Sequence, residues 1–314
     1  MGDPIIIMIT GANGQLGLAL QQTAPEEYSL YPYDIDLDIC DDQKINDVIS
    51  RIRPVWIINA SAYTAVDQAE EEPEKAYAVN RDGVRNLALS AKEFGARLVH
   101  VSTDYVFDGE KSCPYLPADK PNPLGIYGAS KYEGEQEALR ILGDKALVIR
   151  TAWLYSLDGH NFFKTILRLI CERESLQVVT DQIGTPTWAK SLAQAIWKAI
   201  EKELHGIHHW TDSGVASWYD FAVAIQEEAK SLGIIQKTIP IYPISTDAFP
   251  TKARRPANSL LDKNFTWKAL GYHAPHWQEN LRQMLIELKR QNECEDSLLQ
   301  AVRVSSARTL SITG

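Results

Sequence analysis

An uninterrupted apolar run, Ile5 to Ile9, leads directly into Thr10-Gly11-Ala12-Asn13-Gly14-Gln15-Leu16-Gly17, and Leu18 to Gln22 follow in helical register. Such a run reads as a parallel strand covered on both faces, because a strand with one wet face would alternate. Strand, glycine turn and helix in that order form a nucleotide-binding opening. Gly11 permits a tight turn, Gly14 lets backbone approach a pyrophosphate, and Gly17 lets helix and strand pack closely. The helix N-terminus then offers N–H donors to the anion. The spacing is G-x-x-G-x-x-G and departs from the G-x-G-x-x-G fingerprint, so its position between a first strand and a first helix carries the argument. Gly11, Asn13, Gly14, Gln15 and Leu16 are candidate cofactor contacts.

The alternation continues. A second strand over Tyr28 to Tyr33 ends at Asp34, about twenty residues past the glycines, where an acid accepts from adenosine ribose hydroxyls and repels a 2′-phosphate. Asp36, Asp38, Asp41 and Asp42 crowd the same region, so a plain acidic loop is the alternative, and the acids lean toward NAD over NADP. Helix Gln43 to Arg51 precedes strand Val55 to Asn59, after which the small residues Ala60, Ser61 and Ala62 leave room for a cofactor across the sheet edge, with Ala60, Ala62 and Tyr63 as candidate contacts. A helix from Pro73 carries an apolar stripe through Ala76, Val79, Val84, Leu87 and Ala91. Asn80 on it is either a satisfied buried amide or a residue ordering a relay water. Strand Arg97 to Ser102 ends in Thr103-Asp104-Tyr105, at the carboxyl edge where open α/β sheets bind ligands.

After a proline-rich loop comes Tyr127-Gly-Ala-Ser-Lys131, which places a phenol and an ammonium one helical turn apart. A phenol with a pKa near ~10 is a weak donor and a weaker acceptor at neutral pH. A cation beside it stabilises the phenolate and draws that value down, making the pair an acid/base device for a carbonyl or an alcohol. Strand Ala146 to Arg150 completes a pattern specifying an α/β, Rossmann-type, doubly wound parallel sheet over residues 1–155.

Beyond residue 155 the alternation fades into a smaller α/β unit over 156–290, with parts of 178–220 completing the first domain. It is read as helices ending near Glu174, Ala189 to Lys202 and Trp218 to Leu232, a strand Gly206 to Trp210, a loop Tyr242 to Pro256, and closing segments Trp267 to Leu270 and Trp277 to Arg290. His205, His208 and His209 fall on mixed faces of a strand, so no metal site is expected. Residues 291–314 are Ser-rich and lack a core pattern, which reads as a mobile tail.

Composition narrows the class. A net charge of -9 argues against a general nucleic-acid binder. No apolar run approaches the ~20 residues that span a bilayer, and the start reads as a first strand rather than a signal peptide. The 4 cysteines show no paired spacing, which fits a reducing cytoplasm.

The glycine turn with Tyr127-x-x-x-Lys131 resembles the extended short-chain dehydrogenase/reductases. Asn59-Ala-Ser-Ala-Tyr63-Thr-Ala-Val-Asp67, Ser102-Thr-Asp-Tyr-Val-Phe-Asp-Gly109, Arg150-Thr-Ala-Trp153, Asp181-Gln-Ile-Gly184-Thr-Pro-Thr and Arg255-Pro-Ala-Asn-Ser259 narrow the resemblance to the dTDP-4-dehydrorhamnose reductase family, from Ile5 to about Leu288. The resemblance implies hydride transfer from NADPH or NADH to C4 of dTDP-4-dehydro-6-deoxy-L-mannose. It implies Thr103, Tyr127 and Lys131 as catalytic residues, with Lys131 also holding the nicotinamide ribose. Asp104, Tyr105, Trp153, Asn161 and Arg255 are implied at the nucleotide sugar, with core packing open for Trp153 and pairing to an acid open for Arg255. Asn13 stands where some relatives carry a basic residue, which leaves the cofactor open. The glutamates that bind magnesium at a dimer interface in some members have no match here, so no metal is expected and a homodimer stays open. Two rivals remain: a sugar-nucleotide epimerase or dehydratase, although Thr103-Asp104-Tyr105 lacks the dehydratase glutamate, and a non-catalytic regulatory subunit of the methionine adenosyltransferase type.

Overall fold

The computed structural model describes residues 4–291. Its centre is a 6-stranded sheet in the order β10-β5-β4-β3-β1-β2. In chain order these strands are β1 (Ile5–Thr10), β2 (Tyr28–Tyr33), β3 (Trp56–Asn59), β4 (Arg97–Thr103), β5 (Ala146–Thr151) and β10 (Gly206–His209), and every pairing is parallel. Side chains alternate across a strand, so Ile7 and Ile9 enter one core while Met8 enters the other.

Helices α1 (Gln15–Gln22) and α8 (Ala189–Glu201) cover the first face through Leu16, Leu20, Leu192 and Ile196. Helices α2 (Asp42–Ile52), α5 (Val84–Phe94) and α6 (Ile126–Leu142) cover the second through Ile45, Leu87 and Ala138. The sheet is thus dry on both faces, as the continuous apolar runs require. Gly206–His209, far down the chain, is the sixth strand, beside β5.

Between β3 and α5 the chain forms α3 (Val66–Ala69), α4 (Pro73–Tyr77) and a π-helical segment, Ala78–Gly83. The helix expected from Pro73 is therefore interrupted at Asn80. A separate core gathers α7 (Phe162–Glu172), α9 (Trp218–Ser231) and a closing helix 277–291 around Phe163, Ile166, Phe221, Ile225, Leu281 and Leu285. Short strands trim it: β6 (Leu154–Tyr155) with β9 (Thr187–Trp188), β7 (Leu176–Val179) with β12 (Ile241–Ile244), and β8 (Ile183–Gly184) with β11 (Ala216–Ser217). The expected loop Tyr242 to Pro256 accordingly begins as a strand. Its Pro243 obscured this, and a proline is tolerated there because a two-stranded ribbon leaves one side of each strand unladdered. A further helix, α10 (Asn264–Leu270), precedes the closing one and packs near β10. Of the segment read as a tail, 291–314, Gln291 still belongs to the closing helix, and 292–314 lies outside the described residues.

Candidate active site

The β1–α1 turn is shaped by contact. Gly11 has φ 69°, and a Cβ there would lie 2.7 Å from the backbone of Ala60 and Ser61; one on Gly17 would lie 2.2 Å from the Gly11 carbonyl oxygen. Gly14 caps α1 without a side-chain hydrogen bond, and no acid occupies the first turn. The first N–H groups of this helix are open to an anion and nothing negative competes for them.

In front of the turn is a cavity of about 470 Å³ bounded by Gly11, Gly14, Asp34, Ile35, Asp38, Ala60, Ala62 and Val79. Asn13 donates through Nδ2 to Asp34 Oδ2 at 3.0 Å, which fixes the carboxylate at the end of β2. No lysine or arginine lines this cavity. The glycine cradle, the open helix terminus and the fixed acid fit an adenine dinucleotide.

A second cavity, of about 580 Å³, shares Gly14, Ala60 and Ala62 with the first, so the two form one groove across the carboxyl edge of the sheet. β4 delivers Thr103 and Asp104, α6 delivers Tyr127 and Lys131, and the chain leaving β5 delivers Trp153; Gln15, Leu16, Tyr105, Asn161 and Trp218 complete the wall. Thr103 Oγ1 donates to Asp104 Oδ1 at 3.0 Å and accepts from the Tyr105 N–H at 3.2 Å. Asp104 is buried, and its Oδ2 has no hydrogen-bond partner among the described residues. Desolvation pushes this carboxyl up to about 6.

Tyr127 opens onto the cavity and packs edge-on against Tyr105, with ring centroids 5.5 Å apart. Desolvation pushes its phenol up to about 12, with the Thr103 hydroxyl acting in the opposite direction. Lys131 is buried and donates from Nζ to the Val101 carbonyl at 2.6 Å. Burial draws the ammonium down to about 8, opposed by Glu135. The expected lowering of the phenol by the lysine is absent from this arrangement: desolvation dominates both groups.

Several side chains are placed differently from expectation. Arg255 lines neither cavity; its guanidinium pairs with Asp67 at 2.8 Å, the open alternative for this residue. Tyr63 also stays out of both linings, its hydroxyl donating to Glu72 at 2.9 Å. Asn80 is the satisfied buried amide: its Oδ1 accepts from the Tyr63 N–H at 2.9 Å, and its Nδ2 donates to Ser130 Oγ at 3.0 Å. Asn161 borders the cavity with its polar atoms committed, Nδ2 to Gln15 Oε1 at 2.8 Å and Oδ1 capping α7 through the Lys164 N–H at 3.0 Å. Trp153 lines the cavity instead of filling a core, stacked on Trp218.

Two features escaped the sequence reading. Trp218 and His160 line the cavity, yet neither sits in a motif that would have flagged it. Behind Lys131 lies a fully buried ion pair, Arg150 with Glu135 at 2.7 Å, its guanidinium 5.0 Å from the Phe107 ring centroid. The only available signal was Arg150 at the end of the apolar run Ala146 to Ile149; Glu135 sits between Glu133 and Glu137 and nothing in the sequence sets it apart.

The doubly wound sheet, the glycine turn and the convergence of Thr103, Tyr127 and Lys131 on one groove define a nucleotide-dependent oxidoreductase of the short-chain dehydrogenase class. A family model described as "RmlD substrate binding domain" matches residues 5–290. The dTDP-4-dehydrorhamnose reductase of Aggregatibacter actinomycetemcomitans is 42% identical over 285 residues, covering 88% of this chain and 97% of that protein. The enzyme of the same name from Escherichia coli K12 is 40% identical over 292 residues, covering 90% and 97%. A crystal structure of dTDP-4-dehydrorhamnose reductase from Bacillus anthracis in complex with NADP superposes with a TM-score of 0.86 at 42% identity, covering 90% of this chain and 99% of that one. The chain belongs to the RmlD family of dTDP-4-dehydrorhamnose reductases. A UDP-glucose 4-epimerase from Thermotoga maritima, 16% identical with a TM-score of 0.77, shares the fold alone.

Proposed function

We propose that this protein reduces the C4 ketone of dTDP-4-dehydro-L-rhamnose to dTDP-L-rhamnose, using NADPH or NADH. The observation that carries the reading is the single groove: the glycine-turn cavity runs through Gly14, Ala60 and Ala62 into the cavity holding Thr103, Tyr127 and Lys131. Relatives named for this reaction are about as long as this chain and match it over most of its length.

The reduced nicotinamide, when bound, supplies the hydride. Residues of the chain supply the rest. The α1 N-terminus and the glycine cradle hold the diphosphate, and Asp34 holds the adenosine ribose. Tyr127, kept protonated by burial, is in the form that reduction requires and gives its proton to the C4 oxygen as negative charge develops there. Thr103 donates a second hydrogen bond to the same oxygen once its hydroxyl proton turns away from Asp104 Oδ1, where it rests in this structure. Lys131, one turn along α6, carries a positive charge below about pH 8 and is the proposed donor to the nicotinamide ribose. The core of α7, α9 and helix 277–291 supplies the wall for the nucleotide sugar, which divides the chain into a dinucleotide-binding part and a substrate-binding part. Among the described residues no helix is long and apolar enough to cross a membrane. The proposed setting is the cytoplasm, and light scattering on purified protein decides between monomer and homodimer.

The test is the loss of reduced-nicotinamide absorbance with dTDP-4-dehydro-L-rhamnose generated in place, with NADH and NADPH compared. Substrate-dependent loss is expected, and Tyr127→Phe should slow it by ~10² or more with cofactor binding kept. Folded protein that consumes neither cofactor, or a Tyr127→Phe variant with unchanged turnover, overturns the reading.

A further inference from the structure

Among the described residues, three besides glycine have a positive φ: Arg53, Trp153 and Glu203. Arg53 ends α2 and Glu203 follows the end of α8, where the left-handed region serves to close a helix. Trp153 closes nothing. It lies between β5 and β6, at φ 50°, on the wall of the catalytic cavity. A bulky residue persists in this region only when its surroundings over-determine it, and such strain collects at sites of function.

Two neighbours hold the indole. Trp218 stacks on it with ring centroids 3.6 Å apart and planes 6° from parallel. Gly184 leaves it room: a Cβ there would lie 2.6 Å from Cε2 and 2.7 Å from Nε1 of Trp153. Both neighbours are rigidly placed. Gly184 pairs with Ala216 in the β8–β11 ribbon, and Trp218 opens α9 directly after Ser217, whose capping box with Asp220 fixes that helix start. The Trp153 carbonyl accepts from the Thr187 N–H at 3.1 Å, which pins the backbone as well. Trp218 also packs on the neighbouring core, 4.6 Å from Phe162 between ring centroids, so core packing accounts for Trp218 in part but not for Trp153. Both tryptophans are only half-buried and both face the cavity, whereas Trp210 is fully buried in the neighbouring core.

We infer that Trp218 and Gly184 are positioning residues that lock the Trp153 indole as a flat apolar wall for the C–H face of the deoxyhexose, and so set affinity for the nucleotide sugar without taking part in hydride transfer. This rests on the reductase reading for the identity of the sugar. An aromatic face suits a 6-deoxy ring, which offers a methyl group where a hexose offers a hydroxymethyl group. Locking the indole beforehand removes the ordering cost that a mobile side chain would impose on binding.

The experiment compares Trp218→Leu, Trp218→Phe and Gly184→Ala with the unmodified protein. Four quantities are read: Kd for dTDP-L-rhamnose by calorimetry, Kd for NADPH, the KM and kcat for reduction, and the circular-dichroism couplet of two stacked indoles. Trp218→Leu and Gly184→Ala should weaken the nucleotide sugar about tenfold in Kd and KM, with kcat and NADPH affinity within about twofold. Trp218→Leu should also abolish the couplet, and Trp218→Phe, which keeps a stacking face, should recover most of the sugar affinity. Unchanged sugar affinity in Gly184→Ala and Trp218→Leu, with the couplet lost in the latter, overturns the inference. If Trp218→Leu does not fold, Gly184→Ala decides alone, since it removes no side chain. Normal binding of dTDP-L-rhamnose without turnover would defeat the reductase reading while leaving this inference to the binding data; no binding by the unmodified protein defeats both.

Discussion

At Lys131 two effects oppose each other. Desolvation disfavours the ammonium, Glu135 favours it, and the outcome is a value of about 8 instead of the usual lysine range. The charged form, which the proposed reaction needs beside the nicotinamide ribose, therefore predominates below about pH 8 and is lost as pH rises through it. We expect kcat/KM to fall tenfold per pH unit above about 8, and Lys131→Arg, whose charge persists to far higher pH, to remove that limb while lowering the plateau. A pH–rate profile of both proteins checks this; an alkaline limb that survives in Lys131→Arg assigns it to another group. Asp34 carries a second expectation. Its carboxylate is fixed by Asn13, and no lysine or arginine lines the adenosine cavity, so a 2′-phosphate would meet like charge. NADH should bind more tightly than NADPH, and Asp34→Ala should narrow the ratio about tenfold. Fluorescence titration with each cofactor measures it, and an unchanged ratio would place discrimination elsewhere. Tyr127, Lys131 and Thr103 were legible in the sequence because spacing on one helix, and position at one strand end, are local geometry. The fates of Arg255 and Asn161 were not, since Asp67 and Gln15 lie far from them in the chain.

Helix α6 carries Tyr127 and Lys131 on its way to Glu135, and Glu135 anchors it to β5 through a bidentate contact with Arg150 at 2.9 Å and 2.7 Å. Both side chains are almost wholly buried, so each is tolerated only because of the other. Glu135→Gln leaves a guanidinium uncompensated in the core and should cost about 3–5 kcal/mol in urea unfolding. Replacing the pair together by Leu and Met should cost much less, because no charge is stranded. Equal losses in the single and double variants would show that the pair's packing matters rather than its charge. The strand and helix were readable from their apolar periods, but their cross-link was not, because period says which face is buried and nothing about what a charge on that face will meet. The π-helical segment at Ala78–Gly83 escaped for the same reason. Its apolar stripe reads as α-helix, while Asn80, from within it, clamps the Tyr63 backbone and Ser130. Such one-turn bulges gather where a side chain must be re-aimed.

Across the whole molecule the sheet and the core of α7, α9 and helix 277–291 meet near Asp212, a buried acid whose Oδ2 accepts from the Trp188 N–H at 3.1 Å at the start of α8. Desolvation pushes this carboxyl up to about 6, with Ser191 and Asn280 acting in the opposite direction. An acid raised on folding binds its proton more readily in the native state, so stability falls as pH rises from the unfolded value of roughly 4 through about 6, and the penalty is complete above that. Asp212→Asn, which can still accept from Trp188, should stabilise by on the order of 2 kcal/mol at pH 7.5 and by little at pH 4.5. Chemical denaturation at the two pH values decides, and an equal effect at both would remove the ionisation from the account. The sequence by itself determined the parallel sheet, the glycine turn and the Tyr127–Lys131 spacing, because doubly buried strands are written as continuous apolar runs, tight turns as glycines at fixed places, and helix faces in a period of about four residues. Only the tertiary structure decided that His209 ends a sheet strand beside Arg150, that Arg255 faces Asp67, and that Trp153 lies flat on Trp218. Those partners are 59, 188 and 65 residues apart, and contact at such separations follows from packing the two cores together, which no local pattern encodes.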